Sequence, residues 1–302
     1  MSFSSEAKAE LCRVPVQKKA PALAEAYGVL LYCNTFSPRE IRIITGSAEF
    51  AERLPRLFRR AFGISFDRLP PEGSKGKRSL AIQDPEKIAE VFRSFGTEAR
   101  EAISLHINLA VLEEEGAKAS FVRGAFLAGG SITDPEKRYH LELVTAHMSV
   151  SRGTNSLLLE MGFEPKEARR AGSYITYFKQ SEAIEDFFTA IGAPISAMEI
   201  MSAKVEKDMR NAINRKVNCD SANADKIVSA AQDQLIAIRR VEREFGLDTL
   251  PEGLQQAALL RIANPESSLA ELAMLSDPPV TKSCLSHRLK RLMNYSQSEH
   301  EE

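Results

Sequence analysis

The sequence predicts an α+β N-terminal domain, built from an αββαββα unit that occurs twice, followed by an all-α domain. Three observations lead there. One offset aligns AYGVLLYCNTF (26–36) with VRGAFLAGGSI (122–132) and returns in KIAEVFRSFG (87–96) against AIEDFFTAIG (183–192), so that Gly28 falls on Gly124 and Gly96 on Gly192. Within each copy the apolar residues switch between helical spacing and the alternation of strands. Beyond Pro194 the strand signals stop and helical periodicity takes over.

In the first copy, Ala22 to Tyr32 reads as a helix apolar on nearly all sides, hence buried, and EIRIIT as a β-branched strand. Ala48 to Phe62 is amphipathic, with Phe50, Leu54, Leu57 and Phe58 on one side and Arg53, Arg56 and Arg60 on the other. Strands are expected near Ile64–Leu69 and Arg78–Gln83, flanking a Pro- and Gly-containing loop, PPEGSKGK. A helix from Pro85 to Phe95 follows, with Asp84 as its cap. The second copy repeats the order, with IRIITGSAEFAERLPRLFRRAFG matched by LELVTAHMSVSRGTNSLLLEMG and strands at Tyr139–Thr145, Phe163–Arg169 and Ser173–Lys179. Gly28 and Gly124, at equivalent points of the two apolar helices, predict a close helix–helix crossing.

In the all-α part, a helix around Glu199–Val217 carries Lys207, Arg210, Asn211, Asn214 and Asn218 on one face. Asn is a poor choice for helix propensity alone, and Asn with Arg suits phosphate and base-edge hydrogen bonds. CDSAN (219–223) is expected to bend the chain before a helix at Ala224–Phe245, with Ile227, Ala231, Leu235, Ile238 and Phe245 facing a core and Gly246 as the stop. Further helices are expected at about 251–263, 268–275 and 281–294. Ser268 to Glu271 reads as a capping box, and SDPP breaks the chain between the last two helices. In the final helix Leu285, Leu289 and Leu292 make one apolar stripe. Ser283, Ser286, His287, Lys290 and Arg291 lie opposite, with Lys282 and Arg288 on the flanks. That division is what a recognition helix of a helix-turn-helix requires: one side packs, the other offers donors to a major groove. Lys282 and Ser283 would lie nearest bases, Lys290 and Arg291 nearest phosphates.

Net charge is −1 at 302 residues, but residues 281–291 hold Lys282, Arg288, Lys290 and Arg291 and no acid, so global neutrality hides a local cationic patch. Cys12, Cys33, Cys219 and Cys284 are scattered, and neither they nor the five His residues show metal-ligand spacing. No apolar run approaches the length of a membrane span, and MSFSSEAKAEL lacks the pattern of a secretory signal. A cytoplasmic, nucleoid-associated protein with no cofactor, no metal and no membrane partner is expected.

The duplicated unit resembles the LAGLIDADG homing-endonuclease fold, with VRGAFLAGGS aligning to the motif through Gly124, Gly130 and Ser131. Nearly the whole chain is similar to the WhiA family of sporulation and cell-division regulators. The similarity is carried by MSFSSE, FVRGAFLAGGSITDPEKRYHLEL (121–143), KDMRNAINRKVNCDSANADK (207–226) and PESSLAELAMLSDPPVTKSCLSHRLKRL (265–292). The resemblance implies a degenerate LAGLIDADG-like domain at 1–195 (repeats at about 20–112 and 117–193) and a connecting helix and bend at 196–221. A helix-turn-helix domain at 222–295 and a disordered tail at 296–302 would follow. It also implies a bacterial transcription regulator that binds double-stranded promoter DNA and affects sporulation, division or chromosome segregation. RNA polymerase or another regulator would meet the N-terminal domain.

Homing-endonuclease cleavage needs a carboxylate at the eighth motif letter of each helix to hold a divalent metal; Cys33 and Gly129 stand there, so no catalytic residue is expected. Asp134 is close by, but it opens Asp-Pro-Glu-Lys, a turn signal, and its counterpart is Pro38. Outward sheet positions mix Arg42, Arg78 and Lys179 with Glu40 and Glu142, which favours a solvated or protein-facing sheet over a DNA saddle. The alternatives are a metal-dependent homing endonuclease and a protein- or ligand-binding module with only non-specific DNA affinity.

Overall fold

A computed structural model of the chain describes residues 2–71, 73, 76–98 and 104–295. The tail expected at 296–302 lies outside the described residues, as does part of the PPEGSKGK loop. Two compact units divide at Asp208/Met209.

The first unit opens with α1 (Phe3–Cys12), α2 (Lys19–Tyr32), β1 (Thr35–Phe36), β2 (Ile41–Thr45), α3 (Ala48–Phe62), β3 (Arg78–Ile82) and α4 (Pro85–Arg93). The second copy follows as α5 (Ala117–Gly129), β4 (Gly130–Ile132), β5 (Leu141–Thr145), α6 (Met148–Glu160), β6 (Lys166–Arg170), β7 (Ser173–Phe178) and α7 (Ser181–Ile191). Both sheets are antiparallel, ordered β1-β2-β3 and β4-β5-β7-β6. Alternation decides their faces: Ile41 and Ile43 are buried where Arg42 and Ile44 point out, and Leu141 and Leu143 repeat the pattern with Glu142 and Val144 less buried.

Helices α2 and α5 form the centre of this unit, and their two glycines set how close they come. A Cβ on Gly28 would overlap the Phe121 carbonyl oxygen and lie 2.8 Å from the Ala125 nitrogen. One on Gly124 would overlap the Glu25 carbonyl and lie 3.0 Å from the Val29 nitrogen. The crossing is therefore backbone on backbone, as the paired glycines predict.

Four expectations are corrected. The strand expected at Ile64–Leu69 is reduced to one bridge, Arg68 with Ala81. Pro70 and Pro71 supply no N–H to extend it, and the Asp67 carboxylate accepts from the Gln83 and Asp84 amides at 2.7 and 2.9 Å. Arg53 is not on a solvated face: it is 2% exposed and grips Glu25 with two bonds of 2.6 and 2.8 Å while donating to the Cys12 and Val14 carbonyls. Arg123 reaches the same carboxylate at 3.1 Å, and burial lowers its pKa. An apolar count along α3 cannot reveal this, because the anion that holds Arg53 inside comes from α2. The bend expected at 219–223 is absent, since α8 runs Pro194–Glu244 through these residues. They are exposed and include no Gly or Pro, so their polar side chains leave the backbone ladder unbroken, with Asn223 donating to the Cys219 sulfur at 3.7 Å. For the same reason no separate helix starts at Ala224, and Ile227 is 41% exposed rather than in a core.

From Met209 on, the second unit contains the rest of α8, then α9 (Glu252–Ala263), α10 (Leu269–Leu275) and α11 (Lys282–Asn294). Its core joins Ile238 and Val241 of α8 to Leu254, Ala257 and Ala258 of α9, Leu272 and Ala273 of α10, and Leu285, Leu289 and Leu292 of α11.

Gly28→Ala is expected to destabilise the protein by about 1–3 kcal/mol in denaturant or thermal unfolding, because a packed backbone must move apart. Gly46→Ala, whose Cβ would meet nothing within 4 Å, serves as the control. Equal losses from both would contradict the backbone-contact account.

Candidate nucleic-acid interface

The candidate site is the surface of α11, and its local chemistry begins with α10. Ser268 caps α10 by accepting from the Glu271 amide at 3.3 Å, while the Glu271 carboxylate accepts from the Ser268 amide at 2.7 Å. These bonds hold the Glu271 carboxyl below its ordinary pKa. Ser276 to Thr281 turn the chain. Thr281 then caps α11 by accepting from the Cys284 amide at 3.2 Å.

Along α11 the two faces separate cleanly. Leu285, Leu289 and Leu292 are each 1% exposed. Lys282, Ser283, Ser286, His287, Lys290 and Arg291 are all exposed, and the helix contains no Asp or Glu. Ser283, His287 and Arg291 follow one another at one-turn intervals, as do Ser286 and Lys290, so Ser283, Ser286 and His287 lie between Lys282 at one end of the strip and Lys290 and Arg291 at the other. Arg288 differs from the rest. It is half-buried, and its guanidinium lies where a side chain on Gly253 of α9 would touch it at 3.4 Å, so it packs over the start of α9.

The face expected on α8 is only partly available. Arg210, Asn211, Asn214 and Asn218 are exposed, with the Asn211 carbonyl accepting from Arg215 at 3.3 Å. Lys207 is half-buried in the first unit: its ammonium donates to the Pro135 carbonyl at 2.6 Å and sits 4.5 Å from the centre of the Tyr139 ring. A cation held by a carbonyl and an aromatic face is committed to the protein, which helix spacing alone did not reveal.

The ends of the two central helices have different chemistry. Cys33 follows α2, and its thiol donates to the Leu30 and Thr35 carbonyls at 3.2 and 3.3 Å, with burial pushing its pKa up to about 12. At Gly129 a Cβ would lie 2.7 Å from the Val144 carbonyl oxygen and 2.8 Å from Tyr32, so no carboxylate side chain fits. Asp134 opens its turn by accepting from the Glu136 amide at 3.0 Å. Among the described residues, no group of three His, Cys, Asp or Glu side chains is placed to hold a metal. On the sheets, Arg42 pairs with Glu40 at 3.8 Å and Glu142 with Arg170 at 3.6 Å, while the Lys179 ammonium sits 5.2 Å from the centre of the Tyr177 ring. No helix among the described residues is long and apolar enough to cross a membrane.

Leu289→Ala is expected to reduce stability by about 2–5 kcal/mol, and Ser286→Ala by less than about 0.5 kcal/mol, in equilibrium unfolding followed by circular dichroism. A similar loss from both would mean that the polar side of α11 is not free surface.

Comparison with known proteins agrees with this arrangement. Residues 118–210 match the model of the WhiA LAGLIDADG-like domain and residues 213–296 that of the WhiA C-terminal HTH domain. A protein of Ruminiclostridium cellulolyticum named "Probable cell division protein WhiA" is 37% identical over 300 residues, covering 97% of this chain and 96% of the relative. A protein of the same name from Clostridium acetobutylicum is 34% identical over 305 residues, again covering 97% and 96%. The crystal structure of full-length DUF199/WhiA from Thermatoga maritima aligns with a TM-score of 0.59 at 26% identity, covering 99% of both chains. The first unit is accordingly a LAGLIDADG-like domain and the second a helical HTH domain, and the chain belongs to the WhiA family.

Proposed function

We propose that this protein binds double-stranded promoter DNA through its helix-turn-helix, with α11 as the recognition helix, and regulates transcription connected with cell division or sporulation. The observation that carries the reading is the division of α11 into a buried leucine stripe and an acid-free exposed face bearing Lys282, Ser283, Ser286, His287, Lys290 and Arg291. A major groove admits one helix, and the phosphates flanking it attract the cations while base edges accept or donate to the short polar side chains. Arg288 buttresses α11 from its flank, and the exposed Arg210, Asn211, Asn214 and Asn218 of α8 form a second, auxiliary contact surface. The relatives' name supports the link to cell division. Cleavage is not part of this function: Cys33 and Gly129 offer no hard oxygen donor where metal-dependent cutting would need one.

Lys290→Ala is expected to weaken binding about equally on all duplexes and to lower the slope of log affinity against log salt by about one, because one fewer counterion is released. Ser283→Ala is expected to leave that slope intact and to narrow the preference between cognate and altered sites. Titration of fluorescent duplexes at several salt concentrations reads both effects. An unchanged salt slope in Lys290→Ala would remove the phosphate role, and duplex cleavage by the protein with Mg²⁺ would overturn the non-catalytic reading.

A further inference from the structure

The first unit carries a groove of about 720 Å³ between the start of α8 and the opposing bank formed by α1 and the turn after β4. Its apolar lining includes Phe3 from α1 and Ile195 and Met198 from α8, the last two 56% and 66% exposed. The carboxylates of Asp134, Glu136, Glu199 and Glu206 lie around them, and no Lys, Arg or His is among the residues that line the groove. The neighbouring Glu10 is already used: it accepts from the Ile195 and Ser196 amides at 2.8 and 2.9 Å and so anchors the N-terminus of α8. The Lys207 ammonium donates to the Pro135 carbonyl and keeps its positive charge at the Asp134–Glu136 side, so the acidic character is strongest along α8, at Glu199 and Glu206. Desolvation by burial, with Glu6 and Glu10 close by, raises the Glu199 carboxyl pKa, and Glu199 and Glu206 give the α8 bank of the groove its acidic character.

We propose that this groove docks a basic amphipathic helix of a partner protein, whose apolar side chains lie on Phe3, Ile195 and Met198 and whose Lys or Arg residues meet the surrounding carboxylates. Charge selects the occupant. DNA and anionic lipid surfaces would be repelled. A symmetric contact with a second copy would set the same carboxylates against themselves. The chain's own basic helix, α11, has its leucine stripe buried in the second unit's core and has no apolar face to offer. The α8 bank from Ile195 to Glu206 is about three helical turns long, which suits a helix laid along it. Met198 adapts to apolar side chains of varied shape. The inference deepens the expectation of a protein partner for the first unit and does not depend on α11 binding DNA.

The test uses the full-length protein and two fluorescent peptides of about five helical turns, one alternating a leucine stripe with Lys, the other the same stripe with Glu. Anisotropy is expected to detect the Lys peptide and not the Glu peptide. The double variant Glu199→Lys/Glu206→Lys should weaken it at least about tenfold. Glu114→Lys/Glu115→Lys, a charge reversal of equal size elsewhere in the same unit, should leave affinity unchanged, and circular dichroism should confirm that both variants are folded. DNA salt slopes should be the same in the Glu199→Lys/Glu206→Lys protein, which separates failure of this proposal from failure of the DNA reading. Equal binding of both peptides, no binding of either, equal effects of both double variants, or self-association of the protein that Met198→Asp abolishes would overturn the proposal.

Discussion

The backbone contact between α2 and α5 is the constraint on which the first unit depends. With Gly28 against Phe121 and Gly124 against Glu25, the two copies share one axis of packing, and each copy wraps its sheet and outer helices around the helix it supplies. Close approach also fixes what can sit beside the crossing. Glu25 is placed where Arg53 of the first copy and Arg123 of the second both reach it, giving a buried Arg–Glu–Arg group that ties the copies together. Such a group is favourable only when it is well hydrogen-bonded, and here carbonyls of Cys12, Val14 and Ile191 accept further guanidinium donors. The same tight geometry closes the helix ends: Gly129 has no room for a side chain, and Cys33 turns its thiol onto backbone carbonyls.

The second unit uses a different economy. A small core of Leu, Ala, Ile and Val from four helices is enough to fix α11, because its own buried leucines sit on one stripe and most of its exposed positions can then be given to polar side chains. The protein's near-neutral net charge is thus compatible with two surfaces of opposite character, one cationic on α11 and one anionic beside α8 in the first unit. Charge placed locally in this way lets each surface reject the other's ligand.

What could be read from the sequence was whatever repeats or alternates. The offset between Gly28 and Gly124, the apolar alternation of β2 and β5, the Ser268–Glu271 box and the α11 stripe are all local or periodic signals, and they placed the duplicated α+β domain and the helix-turn-helix. What could not be read depends on a partner distant along the chain. Arg53 looks solvated until Glu25 is beside it, Lys207 looks like a surface cation until Pro135 and Tyr139 hold it, and Ile64–Leu69 looks like a strand until Asp67 diverts the amides it needs. The continuity of α8 through 219–223 is a case of the opposite kind: polar residues that signal a bend in isolation are carried by a helix whose neighbours favour continuation. The acidic groove was invisible because its lining comes from three separate stretches, although the apolar spacing of Ile195, Met198, Met201 and Val205 on a polar helix was a usable sign.

The central claim is that DNA meets α11 and not the sheets of the first unit. Lysine-acetylation footprinting of the full chain, with and without saturating duplex DNA, separates the two. The account predicts that Lys282 and Lys290 lose reactivity in the complex while Lys166 and Lys179 keep theirs; protection of Lys166 and Lys179 with α11 still reactive would contradict it.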